Sequence, residues 1–578
     1  MTMLTKWGAA LDRERPLPEY PRPQLRRESF LNLNGVWDYA ITASGNEPEV
    51  WDGKIVVPFS PEAPLSGAER GPARDEYLHY RRSFTLPEGF QKARVLLHFG
   101  AVDQIAEVFV NGVSAVKHAG GYWPFSADIT SLLREGENVL RVTVRDNADD
   151  PTFAYGKQRY KRGGMWYTAQ SGIWQTVWLE SVPEVYVKSL RITPEFDTAR
   201  VRIELETAGE SAAITCDVRA ADGSFVAGSW AKDGVCVVPL PGFRAWTPDD
   251  PYLYTLDITC GEDHVEGYFA MRKFSYVEHN GHKVFGLNNV PLFHNGLLDQ
   301  GYYPDGLLTP PSDEAMVNDI ETMKRCGFNM LRKHIKIEPL RWYYHCDRLG
   351  MIVWQDMVSG GQPYSFLHVS ALPTLGKVDL PDQDAKPYGR SGVLSRARFR
   401  REMADTVRLL YNCPCIALWT VFNEGWGQFD AKNAVRLLRR LDPTRLIDHA
   451  SGWHDQGVSD VKSLHVYFKP YRFKPDKKGR AVVLSEFGGY NLPVAGHTWN
   501  AKNFGYKGYQ TPEALGEAVK TLYETQIVPA CKSGLAADVY TQLSDVEDEV
   551  NGFVTYDRRV EKLPEALMQA IARELKGN

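Results

Sequence analysis

Trp419-Thr420-Val421-Phe422-Asn423-Glu424-Gly425 and Val483-Leu484-Ser485-Glu486-Phe487-Gly488-Gly489 are built alike: an apolar run, a glutamate, then glycine. Runs of this composition fit strands buried on both faces, as in a parallel sheet covered by helices. A glutamate directly after such a strand lies at its carboxyl end, the face on which a (β/α)8 barrel carries its reactive groups. Two glutamates on separate strands of one barrel suit glycosidic bond hydrolysis, in which one carboxyl protonates the leaving oxygen and the other attacks or activates water. A single glutamate at a strand end is more often an N-cap or a rim salt bridge; the pair points to Glu424 and Glu486 as catalytic. Asn423 adds to this, because an amide there can hydrogen-bond a sugar 2-hydroxyl as the transition state forms.

The surroundings of both motifs alternate helix and strand. Ser312 precedes Met316, Ile320 and Met323 at helical spacing, Gly327 closes that helix, and Asn329 to Arg332 begins a strand. Met351 to Trp354, Ile416 to Phe422, Leu446 to His449, Ser463 to Tyr467, Val482 to Ser485 and Val539 to Gln542 read as further strands. Phe399, Met403, Val407 and Leu410 mark one helical face. Residues 278–578 therefore read as one catalytic (β/α)8 TIM barrel. Val358 to Arg398, rich in Gly, Pro and Ser, is expected as a long loop over its upper face.

Upstream the period is two. Val95, Leu97 and Phe99 alternate with their neighbours, and Ala106, Val108 and Val110 lead into Asn111-Gly112, a hairpin signal. Residues 1–183 read as a β-sandwich whose loop from Asp149 to Ser171, rich in Lys, Arg, Gly and aromatics, is long enough to reach elsewhere. Residues 184–277 read as an immunoglobulin-like sandwich, with alternating segments such as Val201 to Leu205 and Leu253 to Ile258 and turn clusters near 207–211, 221–223 and 247–251. Three domains suit 578 residues at about 100–200 per domain.

Composition narrows the partners. The 67 Lys and Arg against 72 Asp and Glu give a net charge of −5, where a nucleic-acid binder gathers basic excess into a patch. No run approaches the 18 or so apolar residues of a membrane span, and Met1 to Arg15 lacks the apolar core of a signal peptide, so a cytoplasmic protein with reduced thiols is expected. Cys413-Pro414-Cys415 has neither metal-ligand spacing nor partners nearby and reads as packing. Aromatics at 12%, with 15 Trp and 28 Tyr, suit stacking on a flat ligand face, a sugar or an aromatic ring, or anchoring β-sandwich cores.

The order of sandwich, immunoglobulin-like domain and barrel, with Asn423-Glu424-Gly425 and Ser485-Glu486-Phe487-Gly488, resembles glycoside hydrolase family 2, which includes β-galactosidases, β-glucuronidases and β-mannosidases. Asn34-Gly35-Val36-Trp37, Ser171-Gly172-Ile173-Trp174, Trp246-Thr247-Pro248, Pro251-Tyr252-Leu253-Tyr254 and Gly327-Phe328-Asn329-Met330-Leu331-Arg332 carry the likeness over nearly the whole chain. The resemblance implies a sugar-binding-like, jelly-roll first domain and a retaining double displacement on an exo-acting β-glycosidase. In it Glu486 is the nucleophile, Glu424 the general acid and then base, and Arg332 a donor that keeps Glu486 ionised. By position in the family pattern, Tyr467 hydrogen-bonds the nucleophile and His465 lines the sugar site. Each also reads as an ordinary core residue, as does His334, while Trp453 and Trp499 are candidates for sugar stacking.

Several motifs depart from the family. Its barrel motif Arg-x-Ser-His-Tyr-Pro stands here as Arg332-Lys333-His334-Ile335-Lys336, and its glucuronidase motif Asn-x-Lys-Gly corresponds to Val550-Asn551-Gly552-Phe553, without a lysine. Lys157, Arg159, Lys161 and Arg162 in the sandwich loop remain available to an acidic sugar. The Glu and His that hold magnesium in large β-galactosidases are replaced by Trp354-Gln355-Asp356-Met357-Val358, so no metal or other cofactor is implied. Those enzymes also use a sandwich-loop aspartate, where this loop has Gly163-Gly164-Met165-Trp166; Asp299, Asp305 and Asp356, expected at the barrel mouth, are alternative acceptors for sugar hydroxyls. The sequence-level reading is a β-galactosidase first, with β-glucuronidase or β-mannosidase as alternatives and a noncatalytic carbohydrate-binding protein as the rival of another class. The sandwiches are expected to shape the pocket, and a homo-oligomer interface is left open.

Overall fold

The computed structural model describes residues 3–209, 212–376 and 379–576. Residues 210 and 211 of the turn expected at 207–211, and 377 and 378 of the expected long loop, lie outside the described residues.

The first domain is a sandwich of a six-stranded and a four-stranded sheet. Their inner faces close over Trp37, Leu97, Phe99, Val108, Val142 and Leu179, which are fully or almost fully buried. The strands Ile105–Val110 and Val113–Ala119 pair around Asn111 and Gly112, whose φ values of 51° and 84° are the two left-handed residues that a tight hairpin needs. Three strands face four in the second domain, between Tyr186 and Phe269, around Val201, Ile203, Cys216, Leu256 and Ile258. All eight cysteines are free.

Eight parallel strands form the barrel: β1 His294–Asp299, β2 Met330–Lys333, β3 Ile352–Asp356, β4 Ile416–Thr420, β5 Leu446–Asp448, β6 Val461–Val466, β7 Ala481–Gly488 and β8 Leu535–Thr541. They lie in the order β5-β4-β3-β2-β1-β8-β7-β6. The helix Asp313–Arg325 starts at Ser312, whose hydroxyl accepts from the Ala315 amide. Asp313 and Glu314 in its first turn and Lys324 and Arg325 in its last complement its dipole.

The 277/278 boundary expected from sequence falls inside a strand, Phe274–His279, which pairs with His282–Leu287. This hairpin belongs with the barrel: Phe274, Val284, Phe285 and Leu287 pack against Met330, Ile352, Trp354, Ala417 and Val483 and stopper the end where the strands begin. The long segment after β3, expected as a loop over 358–398, is not a loop throughout. It contains helical turns at Leu367–Ala371 and Leu372–Gly376, and the helix Val393–Leu410 begins five residues before Arg398, because Phe399, Met403, Val407 and Leu410 continue a buried stripe back to Ser395.

The sandwich loop does reach the barrel. Ser359 O, just past β3, accepts from the amides of Tyr155 and Gly156, and Tyr155 Oη donates to Gly361 O at 2.7 Å. Thr168 N donates to Glu547 Oε1 at 2.8 Å, and the Tyr167 hydroxyl donates to Glu549.

Candidate active site

β4 and β7 deliver the two glutamates to one mouth. Beyond β4 the chain turns through Glu424 at φ 53° and Gly425 at φ 71°. The left-handed region costs a residue with a β-carbon roughly 1–2 kcal/mol, and local bonds hold it. Glu424 N donates to Ser451 O, and Trp453 Nε1 donates to Glu424 O, each at 2.9 Å, so the loop after β5 grips the turn.

Glu486 is 4% exposed. Its Oε1 accepts from Arg332 Nη1 at 3.1 Å and its Oε2 from Tyr467 Oη at 2.5 Å; Thr541 Oγ1, at the end of β8, lies 2.9 Å from the same phenol oxygen. Arg332, fully buried, gives two parallel bonds of 3.0 Å to Asp356, one of 3.1 Å to Ser485 O and one of 2.9 Å to Asn423 Oδ1. With Oδ1 committed, the amide hydrogens of Asn423 remain to donate to a ligand. Burial pushes the Glu486 carboxyl up, but the charges of His465, Arg332 and His334 and the Tyr467 hydroxyl outweigh it and hold it down to about 2.

His465 joins the two glutamates. Its Nδ1 lies 2.9 Å from Glu424 Oε1 and 3.6 Å from Glu486 Oε2, and its Nε2 lies 2.9 Å from Ser451 Oγ. Ser451 donates its hydroxyl to Ser485 Oγ at 2.9 Å, so it accepts from His465, and Nε2 carries a hydrogen. That tautomer leaves Nδ1 and Glu424 Oε1 to share one proton. Oxygens of Glu424 and Glu486 and the His465 nitrogen all lie within 4.8 Å of one another, a set that metal ions also favour. Here both Glu486 oxygens are already engaged by Arg332 and Tyr467.

Of the residues named from sequence, Asn423, Arg332, His465 and Tyr467 surround the two carboxylates, and Trp453 braces Glu424. His334 stands one step behind, its Nδ1 2.8 Å from Asp356 Oδ2. Three others are placed differently. Asp299 is held in a buried ion network by Lys333 Nζ at 2.6 Å, with Glu338 on the same lysine at 2.8 Å, so its oxygens face the protein. Asp305 accepts from Thr5 N at 2.8 Å and Thr5 Oγ1 at 2.7 Å, binding the N-terminal segment. Trp499 packs edge-on against Tyr556, ring centres 5.6 Å apart. Asp356 is near the site but is spent on Arg332 and His334 rather than free for a hydroxyl.

Sequence reading missed Tyr506, which stacks on Tyr467 at 3.9 Å and 5°. Its signal was Gly488-Gly489: a β-carbon on Gly489 would lie 2.2 Å from the Tyr506 ring, so the second glycine makes room for the stack. Thr541 lay inside the strand read as Val539 to Gln542 and is the last residue of the observed one.

The chain matches the family model for the glycosyl hydrolase 2 galactose-binding domain-like region at 71–175, that for glycosyl hydrolases family 2 at 185–272, and that for the family 2 TIM barrel domain at 311–562. A putative β-glucuronidase of Formosa agariphila is 22% identical over 82% of this chain and 56% of its own length; a β-galactosidase of Thermoanaerobacter pseudethanolicus is 25% identical over 63% and 47%. The chain thus spans about half the length of these two relatives. A solved β-glucuronidase of an uncultured Clostridium sp. has the same fold, with TM-score 0.75 at 19% identity over 96% of this chain and 99% of that one. With all three domains matched in order, and the barrel model spanning both glutamate motifs, the chain belongs to glycoside hydrolase family 2.

Proposed function

We propose that the protein is a retaining exo-β-glycosidase in which Glu486 attacks the anomeric carbon and Glu424 serves first as acid and then as base. The observation that carries the reading is the separation of the two carboxylates, with an oxygen of each within 4.8 Å. Retaining enzymes hold their carboxyls about 5–5.5 Å apart, whereas inverting ones need about 6.5–9.5 Å to admit a water between them. The electrostatics agree: Arg332 and Tyr467 keep Glu486 ionised as a nucleophile must be, and the proton shared with His465 supplies Glu424 with what a leaving oxygen needs. Once that proton has left on the aglycone oxygen, Glu424 is ionised and free to take one from the attacking water. Asn423, oriented by Arg332, is placed to donate to the sugar 2-hydroxyl.

A 2-deoxy-2-fluoro-β-glycoside with a good leaving group slows breakdown of the glycosyl-enzyme, and mass spectrometry of the digest is expected to find the sugar on the peptide carrying Glu486. A label on another residue, or an α-configured first product by NMR, would overturn the assignment. Replacing Glu486 with Gln is expected to lower kcat at least about 10³-fold. Replacing Glu424 with Gln should cost roughly 10²–10⁴-fold on poor leaving groups and far less on dinitrophenyl glycosides, which need no acid.

The sugar is read as a β-linked hexose unit. A galactoside is favoured by the missing lysine in Val550-Asn551-Gly552-Phe553, and a glucuronide by Lys157 of the sandwich loop, which among the described residues has no carboxylate within 4.0 Å.

A further inference from the structure

We infer that Lys157, carried into the barrel mouth by the first sandwich, is the cation that receives the carboxylate of a uronic acid substrate. This rests on the reading of Glu424 and Glu486 as the reacting pair.

Four basic residues of the sandwich loop were candidates, and the structure removes three. Arg162 Nη1 is paired with Glu547 at 3.3 Å and Asp548 at 3.1 Å. Arg159 lies over Trp166 at 4.4 Å and Tyr155 at 5.0 Å and leans to Asp149 at 3.8 Å. Lys161 is exposed to water, where an ion pair contributes little. Lys157 alone is half-buried and, among the described residues, has no carboxylate within 4.0 Å.

Its backbone fixes where the ammonium can go. Gly156 hydrogen-bonds Ser359 beyond β3, and its α-carbon is so close to the strand β2 end that a β-carbon there would lie 3.0 Å from Ile335 O. On the other side Lys157 O accepts from Tyr167 N at 3.0 Å, and Lys157 Nζ lies 5.9 Å from the ring of Tyr167, whose hydroxyl binds Glu549 past β8. Lys157 thus lies across the mouth from the β2 end to β8, close enough for its charge to bear on both His334 and Glu549. The other buried cation of the site, Arg332, is already matched by Asp356 and Glu486. Glu549 is spoken for by Tyr167, and burial pushes its carboxyl above the ordinary range, which weakens its claim on the lysine. A half-buried ammonium with no carboxylate within 4.0 Å among the described residues favours an anionic ligand group, worth most where water is excluded.

The test compares p-nitrophenyl β-D-glucuronide with the β-D-galactoside and β-D-glucoside on wild type, Lys157→Ala and Lys157→Arg, alongside calorimetric titration of D-glucuronate and D-glucose. Wild type is expected to prefer the glucuronide at least tenfold in kcat/KM. Lys157→Ala should lower that value about a hundredfold, chiefly through KM, leave neutral glycosides within about threefold, and weaken glucuronate binding; Lys157→Arg should recover part of the loss. Preference for a neutral sugar, or an equal loss on every glycoside, overturns the inference while leaving Glu424 and Glu486 in place. If no glycoside is turned over, the reading of the two glutamates fails, and the titration decides alone: glucuronate binding that survives Lys157→Ala sinks the role of Lys157.

Discussion

Tyr467 concentrates several demands in one hydroxyl. It donates to the ionised Glu486 at 2.5 Å, touches Thr541 at 2.9 Å and stacks on Tyr506. A hydrogen bond to a charged group contributes about 1.5–3 kcal/mol, so Tyr467→Phe is expected to lower kcat roughly tenfold to a hundredfold and to move the acidic limb of the pH profile upward, since Glu486 loses a donor that holds its pKa down. An unchanged limb would mean that the phenol does not tune the nucleophile. The neighbouring glycines predict a second effect. A β-carbon on Gly452 would lie 2.7 Å from His465 Nδ1, so Gly452→Ala should displace His465 from Glu424 and depress kcat, and with φ at 97° it should lower the unfolding midpoint as well. The family pattern named Tyr467 and His465, but the role of Gly452 follows only once the strands are folded together, because its contact with His465 joins separate strand ends and no local pattern records it.

Among the elements, the apolar runs made the barrel strands legible, since strands buried on both sides need little but hydrophobic residues and a turn signal. β1 was not read as a strand: His294-Asn295-Gly296-Leu297-Leu298-Asp299 is half polar, and its buried histidine accepts from Trp354 Nε1 at 3.0 Å, a contact from β3. Aspartates at strand ends misled for a related reason. The mouth rule says that a polar residue there is buried at the top, not whether it faces ligand or, like Asp299, a lysine on the next strand. The sandwich loop supplies the clearest test at this scale. Trp166 meets Trp426 edge-to-face at 5.0 Å, two residues after Glu424, and such pairs contribute about 0.5–1.5 kcal/mol. Trp166→Ala is therefore expected to lower kcat/KM roughly twofold to tenfold with every substrate. No change would show that the acid/base turn is held by Ser451 and Trp453 alone.

At the scale of the whole molecule, two buried histidines and Glu486 couple stability to pH in different windows. His98, in the first sandwich, and His294, in the barrel, are both held down to about 3, chiefly by burial. The unfolded chain binds their protons at about pH 6.5, so stability present above that pH is lost progressively as pH falls below it. Glu486, held to about 2, contributes stability above the unfolded carboxylate value of about 4.3, and this fades only as pH drops from there toward 2. In thermal unfolding followed by circular dichroism, His98→Gln is expected to make the midpoint fall less steeply than in wild type as pH drops below about 6.5; an unchanged slope would exclude His98 as a source of the decline. At this scale the stopper formed by Phe274, Phe285 and Leu287 also governs traffic. With the far end of the barrel filled, everything enters and leaves by one door, and in the proposed double displacement the glycosyl-enzyme stands behind its own departing aglycone. Release is then ordered, aglycone before sugar, so free sugar should inhibit competitively and free aglycone noncompetitively. An alcohol arriving through the same opening before water competes for the trapped sugar and leaves as a new glycoside.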